Sequence, residues 1–105
     1  MVENLIKIFA DKEKAKSMLN MIDTTIEMIN CLDINRFTSN MTKEYYDVLR
    51  ELLSTILLLD GFKIYGEEAH KKLIEYIQEN YKEFNESEIY LLNDLRIKRN
   101  KIAYD

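Results

Sequence analysis

The stretch RIKRNKIAYD places Arg96, Lys98, Arg99 and Lys101 within six positions, in a chain whose net charge is −4. A guanidinium keeps its charge at every physiological pH and its planar fork matches carboxylates and phosphates, so the chemistry offered is anion binding. Arg96, Arg99 and Lys101 are the candidate binding residues. For Lys98 and Lys101 a plainer role competes: cations near a helix C-terminus complement its dipole.

Other chemistries find too few residues. Glu67 and His70 make an E-x-x-H pair, but a carboxylate di-iron bundle needs two such pairs and His70 is the chain's only histidine. A lone histidine on an apolar helical face reads as a core or interface residue. Cys31 is the only cysteine, so neither an internal disulfide nor a cysteine zinc site exists, and no glycine-rich loop is present to cradle a phosphate. No metal or cofactor is expected. The pI near 5.1 has the wrong sign for a broad nucleic-acid surface, leaving only local contacts of the kind Arg96 to Lys101 offers.

The elements that must position these residues are helical throughout. The chain has no proline and two glycines, Gly61 and Gly66. Residues 11–34 carry Ala15, Met18, Ile22, Thr25, Ile26, Ile29 and Leu32 on one stripe, with Asp11 placed to cap the start. Met18, Met21 and Met28 lie on or beside it, as gap-filling core. NRFTSNMT (35–42) reads as a loop with Thr42 capping a second helix over 43–60, whose face of Tyr45, Val48, Leu49, Leu52, Ile56 and Leu59 looks inward. Leu57 and Leu58 make that helix apolar nearly all round, which implies a central position or cover from another chain. DGFKIYG (60–66) reads as a turn, and a third helix runs from Glu67 to Tyr81. Asn85 and Glu88 form a capping-box-like start to a fourth helix, with Phe84 and Ile89 as its hydrophobic staple.

That start fixes the helix phase and places Arg99 near the middle of the apolar arc of Ile89, Leu92, Leu95, Ile102 and Ala103. Burying the cation costs several kcal/mol unless an anion meets it. Two readings stay open: an internal ion pair, for which Asp60 is the expected partner, or a groove or subunit junction that takes an external anion. A second stripe, Tyr90, Ile97 and Tyr104, together with Leu57 and Leu58, is more apolar surface than a small monomer normally exposes, and predicts a two-fold dimer through helices 2 and 4.

The stretch Arg99 to Tyr104, R-N-K-I-A-Y, resembles the R-x4-6-H element of HEPN domains, often R-N-x-x-x-H. GFKIYGEEAHKKLIEYI is similar to the hairpin upstream of that element, so the resemblance spans roughly residues 43–105, with helix 1 fitting as the first helix. It implies an all-α, up-and-down antiparallel bundle of four to five helices and a homodimer in which the motif helices approach each other. In active members the arginine binds the scissile phosphate and the histidine assists attack by the RNA 2′-hydroxyl, without a metal. The resemblance thus marks Arg99, Asn100 and Tyr104 as the candidate catalytic set, but Tyr104 stands at the histidine position, and a phenol with a pKa near about 10 is a much weaker base at neutral pH than an imidazole near about 6.5. The resemblance therefore implies a catalytically degenerate domain binding a nucleotide, an RNA phosphate or a minimal nucleotidyltransferase partner. The alternatives are a metal-independent endoribonuclease of toxin type, as in toxin–antitoxin pairs, and a structural helical adaptor.

At 105 residues a single domain, 1–105, is expected. The longest uncharged apolar run, LLSTILLL (52–59), is too short to span a bilayer, and MVENLIKIFADKEK has neither a basic start nor a cleavage site, so a cytoplasmic protein without a membrane association is expected. Family members usually continue past the motif, and Asp105 offers no cap, which predicts a native chain longer than this one.

Overall fold

A computed structural model of the chain describes the backbone of residues 2–33 and 35–104, with side chains described as far as Ile102. Four helices dominate: α1 (Lys12–Asn30), α2 (Thr38–Asp60), α3 (Ala69–Asn80) and α4 (Glu86–Tyr104). Two three-residue strands, β1 (Leu5–Lys7) and β2 (Phe62–Ile64), pair antiparallel with Leu5 opposite Ile64 and Lys7 opposite Phe62. The fold is an all-α bundle with one small ribbon. Among the described residues no helix is long and apolar enough to cross a membrane.

Helix α2 is the axis of the molecule, packing against α1, α3, α4 and β2, whereas among the described elements α1 packs against α2 alone. Its sequence carries two apolar lines. Met41 and Val48 face α1, where they join Ile22 and Ile29 in one core with Phe37 and Leu52 at its edge. Leu53 and Leu57 face the other way, into a larger core with Leu73, Ile74, Tyr76 and Ile77 of α3 and Ile89 and Leu92 of α4. A helix apolar on opposite faces must be covered on both, and this one is.

That cover comes from the chain itself, which corrects the expectation of an exposed back on helix 2. Leu57 and Leu58 are buried, under a ribbon whose Phe62 and Ile64 pack on the same core. Leu59 and Tyr45, expected to face inward, are exposed, and Tyr46 is buried instead. Helix α2 also begins a turn earlier than expected. Phe37 stands at its N-cap position without a side-chain cap bond, and Thr42 donates its hydroxyl to Thr38 O (3.1 Å) instead of capping. Burying Phe37 and Met41 against α1 outweighs the missing cap, and Asp33 closes the preceding turn by accepting from the Asn35 and Phe37 amides.

The α1 start follows the expectation: Asp11 Oδ1 accepts from the Lys14 amide at 2.9 Å. The end comes sooner, at Asn30, with the Cys31 and Leu32 amides folding back onto Met28 and Ile29 carbonyls. Of its methionines, Met18 is partly buried while Met21 and Met28 are exposed, and so is Ile26. The α4 capping box is complete and reciprocal: the Asn85 amide donates to Glu88 Oε1 (3.0 Å) and the Glu88 amide to Asn85 Oδ1 (2.9 Å).

The segment expected to be only a turn builds the ribbon. Gly61 ends α2 at φ 84°, and the Ile8 amide donates to its carbonyl at 2.8 Å, continuing the strand pairing. A Cβ there would stand 3.2 Å from Ile8 O, in a region L-residues avoid. Gly61→Ala is therefore expected to lower stability by about 1–2 kcal/mol, from the left-handed strain alone; an unchanged urea midpoint would show that the ribbon yields freely.

Candidate anion-binding site

Helices α2 and α4 run antiparallel, so the last turns of α4 lie beside the first half of α2. Leu53 and Leu57 share a core with Ile89 and Leu92, while Arg99 Nε donates to Asp47 Oδ1 at 3.2 Å. Arg99 is therefore paired, but not with Asp60. Asp60 lies thirteen residues beyond Asp47 on α2, about 20 Å along the axis at 1.5 Å per residue, out of reach of α4's end. It instead accepts from the hydroxyls of Tyr76 (2.7 Å) and Tyr81 (2.6 Å).

The Arg99–Asp47 contact is mostly but not fully covered, with side chains 19% and 24% exposed. It uses Nε, so the two Nη groups are not spent on it. Around it stand two more guanidiniums. Arg96 Nε donates to Asn93 Oδ1 in a long 3.4 Å bond on its own helix, and Arg50 sits one turn along α2 from Asp47. Arg50 Nη1 meets Glu51 Oε1 at 2.9 Å, while its Nε is buried with no protein partner. Such an orphaned donor is unusual, because burying it without an acceptor costs about 1–3 kcal/mol.

Two ring side chains complete the cluster. Tyr46 is almost fully buried, and the His70 ring at the start of α3 lies 6.3 Å from it, tilted by 53°. Burial pushes the Tyr46 hydroxyl above its usual pKa, against the pull of Arg96, Arg50 and Arg99. Burial also holds His70 below its usual 6.5, and the positive charges of Arg50, Arg99 and Arg96 push the same way, with only Asp47 opposing. His70 is accordingly neutral at pH 7. Because its folded pKa is depressed, its contribution is full above the unfolded value near 6.5 and is lost as pH falls toward the folded one. An imidazole titration followed by NMR should give a midpoint below 6.5, and His70→Gln should flatten the loss of stability between about pH 7 and 5. A midpoint at or above 6.5 would mean that neither burial nor the cationic surroundings govern the ring.

No family model, curated protein or solved structure matches this chain. The site therefore rests on its own geometry. Of the sequence candidates, Arg96 and Arg99 are brought together with Asp47, and Asn100 is partly buried on the same helix. Lys101 is set apart, lining a shallow cleft with Lys98, Thr38, Ser39, Thr42 and Ile102. Lys98 is exposed and bonded to Asp94 (2.9 Å), a bond that raises its pKa and fits the plain helix-surface role. The side chains of Tyr104 and Ala103 lie outside the described residues. Glu67 precedes α3, which starts at Ala69 after Glu68 at φ 57°, so Glu67 and His70 do not share a helix face as an E-x-x-H pair would. Among the described residues no three His, Cys, Asp or Glu side chains group to hold a metal.

Sequence reasoning missed Tyr46, Asp47, Arg50 and the company His70 keeps. The signal was the i to i+3 spacing of Asp47 and Arg50, legible only once Tyr46 rather than Tyr45 is known to face inward.

Proposed function

We propose that the chain is a HEPN-like helical domain that binds a nucleotide or RNA phosphate at an arginine-centred groove between α2 and α4, with weak catalysis or none. One observation carries the reading: Arg50, Arg96 and Arg99 gather around Tyr46 and His70 with Asp47 as the carboxylate in contact with Arg99. An ion pair evolved for stability alone needs one cation per carboxylate; here three cations stand with two carboxylates, Asp47 on Arg99 and Glu51 on Arg50, in an acidic chain. The expected dimer narrows to α4, whose Tyr90 and Ile97 are strongly exposed, because the Leu57 and Leu58 surface is consumed internally. Two-fold pairing there sets two arginine clusters near each other. A minimal nucleotidyltransferase is the protein partner the resemblance suggests for such a groove.

Anisotropy of a labelled single-stranded RNA tests the reading directly. Binding should weaken steeply between about 50 and 200 mM salt, and Arg99→Ala should weaken it about ten-fold or more while lowering the salt slope by about one phosphate contact. Light scattering at high micromolar concentration should give a dimer. No RNA or nucleotide binding at low salt removes the site, and a monomeric mass removes the shared groove.

The endoribonuclease reading has one observation of its own in its favour. The single imidazole of the chain, neutral at pH 7, stands in the field of Arg99, so a proton acceptor is near the phosphate-binding cation even with tyrosine in the motif position.

A further inference from the structure

A cavity of about 290 Å³ lies between the second half of α2, the ribbon, the start of α3 and the first turns of α1. Its polar lining is Lys14, Arg50, Ser54, Lys63 and His70, and the rest is apolar, with Leu57, Phe62 and Leu73 among the walls. The charge balance is one-sided. The chain has 19 acidic against 15 basic residues, yet among the described residues three cations and no carboxylate line this space. Glu44, Asp47 and Glu51 of α2 line an adjoining groove against α1 that shares Lys14 and Met18, and Glu51 meets Arg50 Nη1 from that side at 2.9 Å. Arg50 brings to the site a buried Nε that no protein acceptor meets.

We propose that this cavity binds a small amphipathic anion, one carboxylate or phosphate head on an apolar body, with the head taken by Arg50 and Lys63 and the body packed among Leu57, Phe62 and Leu73. Nε is covered and without an acceptor in the free chain, so the Arg50 guanidinium must turn toward the head to gain the partner it lacks. Cations alone would suit inorganic phosphate, but the walls are apolar, so burying a hydrocarbon body adds to the binding. The volume is just below the about 300–1,000 Å³ usual for ligand sites, which suits a body the size of an eight-carbon chain. This pocket lies on the ribbon side of α2 and shares Arg50 and His70 with the arginine cluster, whereas Lys63 belongs to it alone and Arg99 lies outside it.

The probes are octanoate and octyl phosphate, with 1-octanol and acetate as the two halves of the pattern, titrated into the full chain at constant ionic strength and followed by amide NMR. Saturable shifts at Ile64, Ala69, His70 and Leu73 are expected with at least one of the two anions, and the tighter one identifies the head. Neither 1-octanol nor acetate should bind within about ten-fold of it, since each lacks one part of the match. Arg50→Gln should weaken binding about ten-fold. Lys63→Glu, at an exposed strand position that costs no core packing, should weaken it similarly and leave RNA binding intact, while Arg99→Ala should do the reverse. The proposal is overturned if 1-octanol binds as tightly as the anions, if the shifts fall elsewhere, or if the folded Lys63→Glu protein keeps wild-type affinity.

Discussion

Asp60→Ala should cost about 2–4 kcal/mol of folding stability, a large loss for a residue at an exposed helix end. Its carboxylate is the shared acceptor of two tyrosine hydroxyls, Tyr76 at 2.7 Å and Tyr81 at 2.6 Å, and hydrogen bonds to a charged group contribute about 1.5–3 kcal/mol each. Tyr76 is buried in the main core, so its hydroxyl has little water to turn to once the acceptor is gone. Asp60 is also the last residue of α2, where a negative charge opposes the helix dipole. Its place there is intelligible only because α3 brings two donors to meet it. The bond to Asp60 and partial burial push Tyr81 up to about 12, and burial with the same bond pushes Tyr76 higher still. Both folded values exceed the unfolded value near 10, so this stabilisation is complete below pH 10 and declines as pH rises toward about 12. Asp60→Asn, which keeps an acceptor but not the charge, should lose roughly half as much. In Asp60→Ala the tyrosinate absorbance should grow in at lower pH than in the wild type. A urea midpoint unchanged by Asp60→Ala would show that water replaces the carboxylate at no cost.

The two aspartates show where the sequence was legible and where it was not. Periodicity and capping signals act over three or four residues, and they located α1 by Asp11 and α4 by the Asn85–Glu88 box correctly. That Arg99 must be met by an anion was legible too, because a cation in the middle of an apolar arc needs one, but an internal carboxylate was only one of the two readings the sequence left open. Which carboxylate meets it was not, since that depends on the antiparallel register of α2 and α4, a long-range quantity with no local signature. The ribbon was hidden for a different reason. Three residues such as LIK or FKI are too short to display a period of two, and the partner strand lies more than fifty residues away. Missing the ribbon led to the exposed Leu57 and Leu58, since those side chains are covered by the strands that went unseen. The beginning of α2 was misplaced because a polar segment, NRFTSNMT, hides two residues, Phe37 and Met41, whose burial against α1 decides the matter.

Catalysis is the most demanding test of the arginine cluster, and the substitution with the largest expected effect on it is Tyr104→His. Cleavage of RNA by its own 2′-hydroxyl needs a base for the attacking oxygen and cations for the charge that develops on the phosphate; the base contributes about 10²–10⁴-fold and positioned cations a comparable factor. On the proposed reading Arg99, held through Nε by Asp47, would supply the second contribution with its Nη groups, beside the positive charges of Arg50 and Arg96. The first would be short in the wild-type chain, since by the proposed resemblance Tyr104 takes the histidine's place and a phenol is almost wholly protonated at pH 7. Tyr104→His should therefore raise cleavage of single-stranded RNA in EDTA by about 10²-fold, leaving cyclic-phosphate ends. Adding Arg99→Ala should abolish the gain. His70 separates the two enzymatic readings: if the wild type already cleaves RNA in EDTA, and His70→Gln removes that activity as fully as Arg99→Ala does, the base is on α3 and the domain is a ribonuclease without its motif histidine. If Tyr104→His gains nothing while still binding RNA, the end of α4 does not reach the scissile phosphate, and the arginine cluster serves binding alone.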